Sequence, residues 1–387
     1  MKKLIYFDNA ATTYPKPQRV INEVARCMKS YCGNPGRGGH RLSRLASEKV
    51  YECRCLIAGL YGSSKPENVI FTRNTTEALN LAIKAFMRKG DRAVISGLEH
   101  NSVFRPVTAL ADFGCRYTIF GIPSTNPDEI FESFKMSVRP GTRLVVVTHI
   151  SNICGIRMPV EKIGRFCRER GIFFIIDDAQ GAGSLTLDIG KCGADVICAP
   201  GHKGLYGPQG SGFALFSDRW KYEELILGLS TFMEGGNGVN SLEDHMPPFL
   251  PERFEAGTLA TPCIAGLAEG IKAINAIGTD AVYDHACRLR RRLIEMLSSN
   301  RKITIYAPDA DCGSIVLFNC QGFHPDEVAS SLDKAGICVR SGYHCSPLAH
   351  ETLSTGGSGA LRVSFSIFNT SSEIEVFYRR LCEIISV

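Results

Sequence analysis

The sequence predicts an α/β protein: a large, doubly wound domain on a mainly parallel sheet, with a smaller α+β domain at its C-terminal side. Three observations carry this. Apolar, β-rich runs alternate with helical periodicity over residues 68–216. The runs Ile172 to Ile176 and Asp195 to Ala199 are of the kind found in parallel strands buried on both faces. From Ile303 the pattern changes to strand, helix, strand. A chain of 387 residues is long for one simple core, so two domains are expected: 18–257 as the large one, and 1–17 with 258–387 as the small one.

The elements follow in order. Leu4 to Phe7 is a short strand, and Pro15 and Pro17 stop regular structure after it. Val20 to Lys29 and Arg41 to Leu60 are helices, separated by a glycine-rich loop, 33–40, whose Arg37 and His40 suit an anion. Asn68 to Thr72 is a strand, and Arg73-Asn74-Thr75-Thr76-Glu77 opens a helix to Met87. Strands over 93–96, 117–121 and 144–148 alternate with helices over 103–113, 127–138 and 160–170. Residues 234–252 are a loop by composition. Helices run from Pro262 to about Ile277 and over 280–300. Strand 314–319, helix 325–335, strand 338–340, a flexible glycine-rich loop over 354–359 and a last strand, 360–366, complete the chain.

Composition narrows the function. Hydrophobic residues make up 44% and charged residues 21%, as in an ordinary globular protein, and a net charge of +5 gives no reason to expect nucleic acid. The N-terminus MKKLIYFDNAATT has no long apolar stretch, and no run approaches the ~18 apolar residues of a spanning helix, so a cytoplasmic protein without membrane contact is expected. Sixteen cysteines are scattered without C-x-x-C or zinc-site spacing. They predict neither a metal site nor a disulfide framework, and most read as small core residues.

Polar residues collect at the strand ends: Thr75, His100, Asn152, Asp177 and Lys203. Parallel sheets place ligands beyond the carboxyl ends of their strands, so these five read as one site. Neighbouring strands ending in Asp177 and Lys203 supply the minimum that pyridoxal phosphate (PLP) needs, an amine for the Schiff base and a carboxylate for the pyridine nitrogen. The strand–turn–helix start at Asn74, Thr75 and Thr76 is an anion-binding geometry. Cys345 stands apart from the other thiols, because its loop holds Arg340, His344 and His350, and nearby positive charge favours thiolate.

Together these pieces resemble a known family. FDNAATT (7–13), NPGRGGH (34–40), FTRNTTEALNL (71–81), LEH (98–100), SN…G (151–155), DDAQ (177–180), GHKGLYGP (201–208), RFEAGT (253–258), VRSGYHC (339–345) and LRVSFSIFNT (361–370) occur in the order found in class V aminotransferases, a group of fold-type I PLP enzymes. Within that group the chain resembles the cysteine desulfurases, nearest to group II. The resemblance covers nearly the whole chain.

The resemblance implies a role for each matched position. Lys203 is the Schiff-base lysine, Asp177 pairs with the pyridine nitrogen, and Gln180 reaches the ring hydroxyl. His100 stacks on the ring and moves protons. Thr75, Thr76 and His202 hold the phosphate, and Thr258 completes that site in a partner subunit, so a homodimer is expected. Asn152 binds both cofactor and substrate, Arg362 binds the substrate carboxylate, and His40 is a further substrate-binding candidate. Cys345 is the catalytic cysteine. The implied reaction converts L-cysteine to L-alanine, leaves the sulfur on Cys345 as a persulfide, and passes it to an acceptor protein or thiol.

Three departures from the family pattern stand out. Pro200 occupies the place of a Ser or Thr before Gly-His-Lys, which removes one hydroxyl contact to phosphate and implies lower cofactor affinity. Gly204 is an extra residue after Lys203, and Cys345 is followed by SPLAHETLSTGGSG, unlike the usual group II run. The separation of Cys345 and Arg362, 17 residues, is nonetheless short as in group II. The alternatives are a selenocysteine lyase, releasing selenide from L-selenocysteine, another class V aminotransferase, epimerase or β-lyase, and a non-catalytic sulfur carrier.

Overall fold

The computed structural model describes residues 4–36, 38–220, 223–310 and 313–386. Arg37, proposed above as an anion ligand, lies outside them. In chain order the elements are β1 (Ile5–Tyr6), α1 (Gln18–Ser30), α2 (Arg41–Leu60), β2 (Val69–Thr72), α3 (Thr75–Phe86), β3 (Arg92–Ser96), α4 (Asn101–Ala111), β4 (Arg116–Phe120), α5 (Pro127–Ser137), β5 (Thr142–Thr148), α6 (Val160–Glu169), β6 (Phe173–Asp177), α7 (Ile189–Cys192), β7 (Val196–Pro200), β8 (Gly212–Phe216) and α8 (Glu223–Leu227). The second part has α9 (Thr261–Ile277), α10 (Thr279–Ser298), β9 (Ile303–Tyr306), β10 (Ile315–Cys320), α11 (Pro325–Lys334), β11 (Ile337–Cys338), β12 (Arg340–Gly342), α12 (Pro347–Thr352), β13 (Ala360–Ser364) and α13 (Ser371–Ser386).

The large sheet has seven strands in the order β2-β8-β7-β6-β5-β3-β4. Only β8 is reversed, pairing antiparallel with both β7 and β2. It follows β7 through a loop instead of a crossover helix, and a direct return of this kind must run antiparallel. The central strands β5 and β6 are buried on both faces over residues 144–147 and 174–176. Val145, Val147, Phe174 and Ile176 enter one apolar cluster, and Leu144, Val146 and Ile175 enter the other. Single-residue alternation between two cores is what makes these strands continuously apolar in sequence. Helix α9 packs on α1 and α2 and adds Ile264, Leu267, Ile271 and Ile274 to the first of these cores.

A four-stranded sheet, β12-β13-β10-β9, and the short parallel pair β1-β11 form the rest of the strand structure. Their core joins Phe7, Leu293, Phe318, Val363 and Phe377. Several features differ from the sequence-based expectation, among them β8, α7 and α8, which the sequence pattern does not predict. Helix α13 is absent from the predicted elements, although Ile374, Phe377, Leu381 and Ile385 have helical spacing and are fully buried. Residues 347–352 are a helix. The glycine-rich segment 354–359 is tied down rather than free: Asn319 Nδ2 donates to the carbonyls of Thr355 and Gly359 at 3.3 and 3.0 Å, and the Tyr343 hydroxyl donates to the Gly357 carbonyl.

Candidate active site

The carboxyl ends of β2, β3, β5, β6 and β7 lie on one edge of the large sheet, since all five strands run in the same direction. The residues at and beyond these ends line one cleft: Asn74, Thr75 and Thr76 after β2, His100 and Ser102 after β3, Thr148 and Asn152 at β5, Asp177, Ala179 and Gln180 at β6, and His202 and Lys203 after β7. The five strand-end residues expected to share a site therefore line one cleft. Gly212 permits part of this convergence. A Cβ there would stand 2.7 Å from the Asn74 backbone, so β8 needs a glycine where the Asn74 turn crosses it.

Helix α3 begins with Asn74 as its cap, the side chain accepting from the Glu77 amide at 3.0 Å. The Thr75 Oγ1 atom beside this helix start is buried and has no hydrogen-bond partner in the protein. The same holds for His202 Nδ1. Burial, then the Lys203 charge, pushes the His202 imidazole down to about 4, so it stays neutral. Thr76 is exposed at the same mouth. Buried polar atoms without partners are rare and point to a group from outside the chain.

Asp177 and Lys203 show burial outweighing attraction. Burial raises the Asp177 carboxyl to about 6, although Lys203 pulls it down. Burial lowers the Lys203 amine to about 8, against the pull of Asp177, and the Arg362 and Arg340 charges lower it further. The result is an amine that gives up its proton far more readily than an ordinary lysine, so that a sizeable neutral fraction is available as a nucleophile or base. His100 caps α4. Its Nδ1 accepts from the Ser102 amide at 3.0 Å, so the neutral ring carries its proton on Nε2, and burial followed by the Lys203 charge pushes it down to about 4. Gln180 Nε2 donates to the Ala10 carbonyl at 3.0 Å, tying the β6 loop to the N-terminal segment. The extra Gly204 packs where a Cβ would be 2.2 Å from the Ala182 carbonyl oxygen, so no larger residue fits the loop after Lys203.

The small sheet brings in the cysteine. Cys345 is exposed, just beyond β12, and its carbonyl accepts from the Asn101 amide at 2.8 Å. Asn152 secures the same turn: its Nδ2 donates to the His344 carbonyl at 3.2 Å, and its Oδ1 accepts from Ser346 Oγ at 2.9 Å. Arg362, on β13, is 2% exposed; its guanidinium donates to the Asn152 carbonyl at 2.9 Å and to Asp8 Oδ1 at 2.7 Å. Asp8 and Ser346 were not singled out from sequence as site residues. Asp8 lies in the FDNAATT motif, which gave a signal, whereas Ser346 gave none.

One expectation needs correction. His344 and His350 add no positive charge around Cys345. Both rings are buried and burial lowers both, His344 to about 2, so each is neutral at physiological pH. His40 is exposed and caps α2, accepting from the Ser43 amide at 3.3 Å, and it does not line the cleft. Thr258 is exposed and also lies outside the cleft of its own chain.

A mostly parallel α/β sheet with a buried carboxylate and a lysine of lowered proton affinity at its carboxyl edge defines the fold-type I class of PLP-dependent enzymes. The aminotransferase class-V family matches residues 5–377, and the chain belongs to it. It is 36% identical to a probable cysteine desulfurase of Methanothermobacter thermautotrophicus over 98% of this chain and 94% of that one. It is 35% identical to a probable cysteine desulfurase of Pyrococcus abyssi over 99% and 95% of the two chains. The apo structure of a cysteine desulfurase from Thermococcus onnurineus NA1 superimposes with a TM-score of 0.89 at 32% identity, covering 99% of this chain and 95% of that one. An Escherichia coli cysteine desulfurase shares the fold at 22% identity, with a TM-score of 0.88 and coverage of 99% and 95%. Among the described residues, no helix is long and apolar enough to cross a membrane.

Proposed function

We propose that the chain is a PLP-dependent cysteine desulfurase that converts L-cysteine to L-alanine and takes the sulfur onto Cys345 as a persulfide. The observation that carries this is the docking of the Cys345 turn, through Asn152, onto the cleft that holds Lys203 and Asp177.

The residues present fit the cofactor. Thr75 Oγ1 and His202 Nδ1, both buried and unpartnered, with the free amides at the start of α3, suit its phosphate. Asp177 suits its ring nitrogen, Gln180 its hydroxyl, His100 its ring face and Lys203 its aldehyde. Pro200, at the end of β7, offers no hydroxyl to this set. When bound, PLP supplies an electron sink that stabilises negative charge at the substrate Cα.

The chain's own groups do the rest. Lys203 Nζ, its proton affinity lowered by burial, takes the Cα proton and returns it. Asp177 stays charged next to a cation and keeps the ring nitrogen protonated. Arg362 is held by Asp8 and Asn152 beside the cleft and orients the substrate carboxylate. Cys345 Sγ attacks the substrate sulfur, an S–S bond forms as the C–S bond breaks, and the bonding pair stays on carbon, where a proton completes alanine. L-cysteine and the enzyme thiol thus become L-alanine and the enzyme persulfide. The acceptor is a protein or a small thiol.

The reading includes a homodimer in which the partner's Thr258 closes the phosphate site, in keeping with the exposure of Thr258 in its own chain. The test is the PLP-loaded protein with L-cysteine in the presence of a thiol: alanine and sulfide in equal amounts are expected. No alanine from L-cysteine, with turnover of L-selenocysteine, would replace this reading by the selenocysteine lyase.

A further inference from the structure

Residues 340–355 hold three polar side chains in one row. His344 Nε2 lies 3.4 Å from the Arg340 carbonyl oxygen. His344 Nδ1 lies 3.3 Å from His350 Nε2, and His350 Nδ1 lies 2.6 Å from Thr355 Oγ1. All three residues are buried, and the two imidazole planes are within 9° of parallel. Each neutral imidazole offers one donor and one acceptor. A carbonyl oxygen only accepts, so His344 Nε2 donates to Arg340 and His344 Nδ1 accepts. His350 Nε2 must then donate, His350 Nδ1 must accept, and the Thr355 hydroxyl must be the donor at the far end. The Arg340 carbonyl orders the protons of the row, and a backbone hydrogen bond from the His350 ring to Tyr343 acts in the same sense.

The row begins at a backbone that needs holding. His344 and Cys345 both sit in the left-handed region, with φ of 51° and 59°. Consecutive non-glycine residues there cost ~1–2 kcal/mol each and persist only where their surroundings impose the conformation. Asn152 and Asn101 hold the turn from the large-sheet side. The row holds it from the other side, since it ends at Thr355, whose carbonyl is fixed by Asn319.

We propose that His350 and Thr355 are positioning residues for Cys345: the row Thr355–His350–His344–Arg340 keeps the cysteine turn left-handed and so fixes where the Cys345 sulfur stands. This deepens, and rests on, the reading of Cys345 as the sulfur-accepting thiol. Neither residue lines the cleft, and each acts only through the turn.

The experiment compares the PLP-loaded wild type with Thr355→Val, which removes the hydroxyl at constant volume, Thr355→Ser, which keeps it, and His350→Gln. Alkylation of Cys345 by iodoacetamide is followed by peptide mass. The values of kcat and KM for alanine formation, and the cofactor absorbance change on adding L-cysteine, are measured alongside. For Thr355→Val and His350→Gln, the expected result is a Cys345 alkylation rate altered at least ~3-fold and a kcat lowered roughly tenfold, with KM and the absorbance change as in wild type. Thr355→Ser should match wild type in all four. Wild-type alkylation and kcat in Thr355→Val would overturn the proposal. Equal impairment of Thr355→Ser and Thr355→Val would overturn it too, since packing and not the hydroxyl would then be at work. If wild type forms no alanine from L-cysteine, the desulfurase reading fails separately, and the alkylation rates alone decide the positioning role.

Discussion

Ser346 Oγ donates a hydrogen bond of 2.9 Å to Asn152 Oδ1, joining residues 194 apart in the chain. The bond connects the small sheet's cysteine turn to the end of β5 on the large sheet. Both ends of the Asn152 amide hold the turn, since its nitrogen donates to the His344 carbonyl and its oxygen accepts from Ser346. Its own carbonyl meanwhile receives Arg362. Together with the Asn101 amide, which bonds the Cys345 carbonyl, this side chain sets the spacing between Cys345 and the lysine cleft.

Asn152→Ala should separate cofactor binding from sulfur transfer. The buried Ser346 hydroxyl loses its partner, at about 1–3 kcal/mol of stability. Cofactor absorbance should remain, while kcat for alanine falls roughly tenfold or more through misplacement of Cys345. Steady-state kinetics with absorbance spectra check this, and loss of the cofactor with unchanged kcat per bound PLP would contradict it.

The opposed shifts of Asp177 and Lys203 predict a measurable coupling. Asp177 pulls the Lys203 amine up against burial. In the cofactor-free protein, Asp177→Asn should therefore move the midpoint of Lys203 acylation to lower pH than the wild-type value of about 8. In the loaded protein the same variant should lose ~100-fold in kcat, and Lys203→Ala should lose at least ~1000-fold.

Arg362 is buried against two acceptors, Asp8 Oδ1 and the Asn152 carbonyl. Arg362→Ala leaves both without their donor and should cost about 3 kcal/mol in urea unfolding. Arg362→Lys keeps the charge but not the two-pronged geometry, so a smaller loss and a raised KM for L-cysteine are expected. Equal stabilities for Ala and Lys would count against the paired role.

Acid should weaken the fold through His344. Burial first, and then the Arg362 charge, lower its folded value from 6.5 to about 2. Between those limits the unfolded chain binds the extra proton, so the contribution is whole above 6.5 and shrinks as pH falls, by up to ~1.4 kcal/mol per unit. From pH 6.5 to 4.5, the stability of His344→Gln should fall less steeply than that of wild type. Parallel slopes in urea unfolding would contradict this.

Much of the frame could be read from sequence, for physical reasons that differ by element. Strands β5, β6 and β7 have continuous apolar centres because both faces are covered there, and their polar carboxyl ends mark the cleft edge. The reversal of β8 could not be read, since Gly212–Phe216 is as apolar as its parallel neighbours. Helix α13 is legible in the helical spacing of Ile374, Phe377, Leu381 and Ile385. At the site, Lys203, Asp177, His100 and Asn152 announced themselves at strand ends. The Ser346–Asn152 bond did not, because nothing local records a contact across 194 residues. The histidines near Cys345 were misread as charges because burial, which makes them neutral, is a property of the fold.

The central claim is that Cys345 takes sulfur from the substrate in the Lys203 cleft. Intact and peptide masses of the PLP-loaded protein after brief exposure to L-cysteine test it directly, for wild type and Cys345→Ser. The account predicts one added sulfur on the Cys345 peptide with a matching yield of alanine, both lost in the variant. Alanine formed equally by Cys345→Ser, with no sulfur on that peptide in wild type, would contradict it.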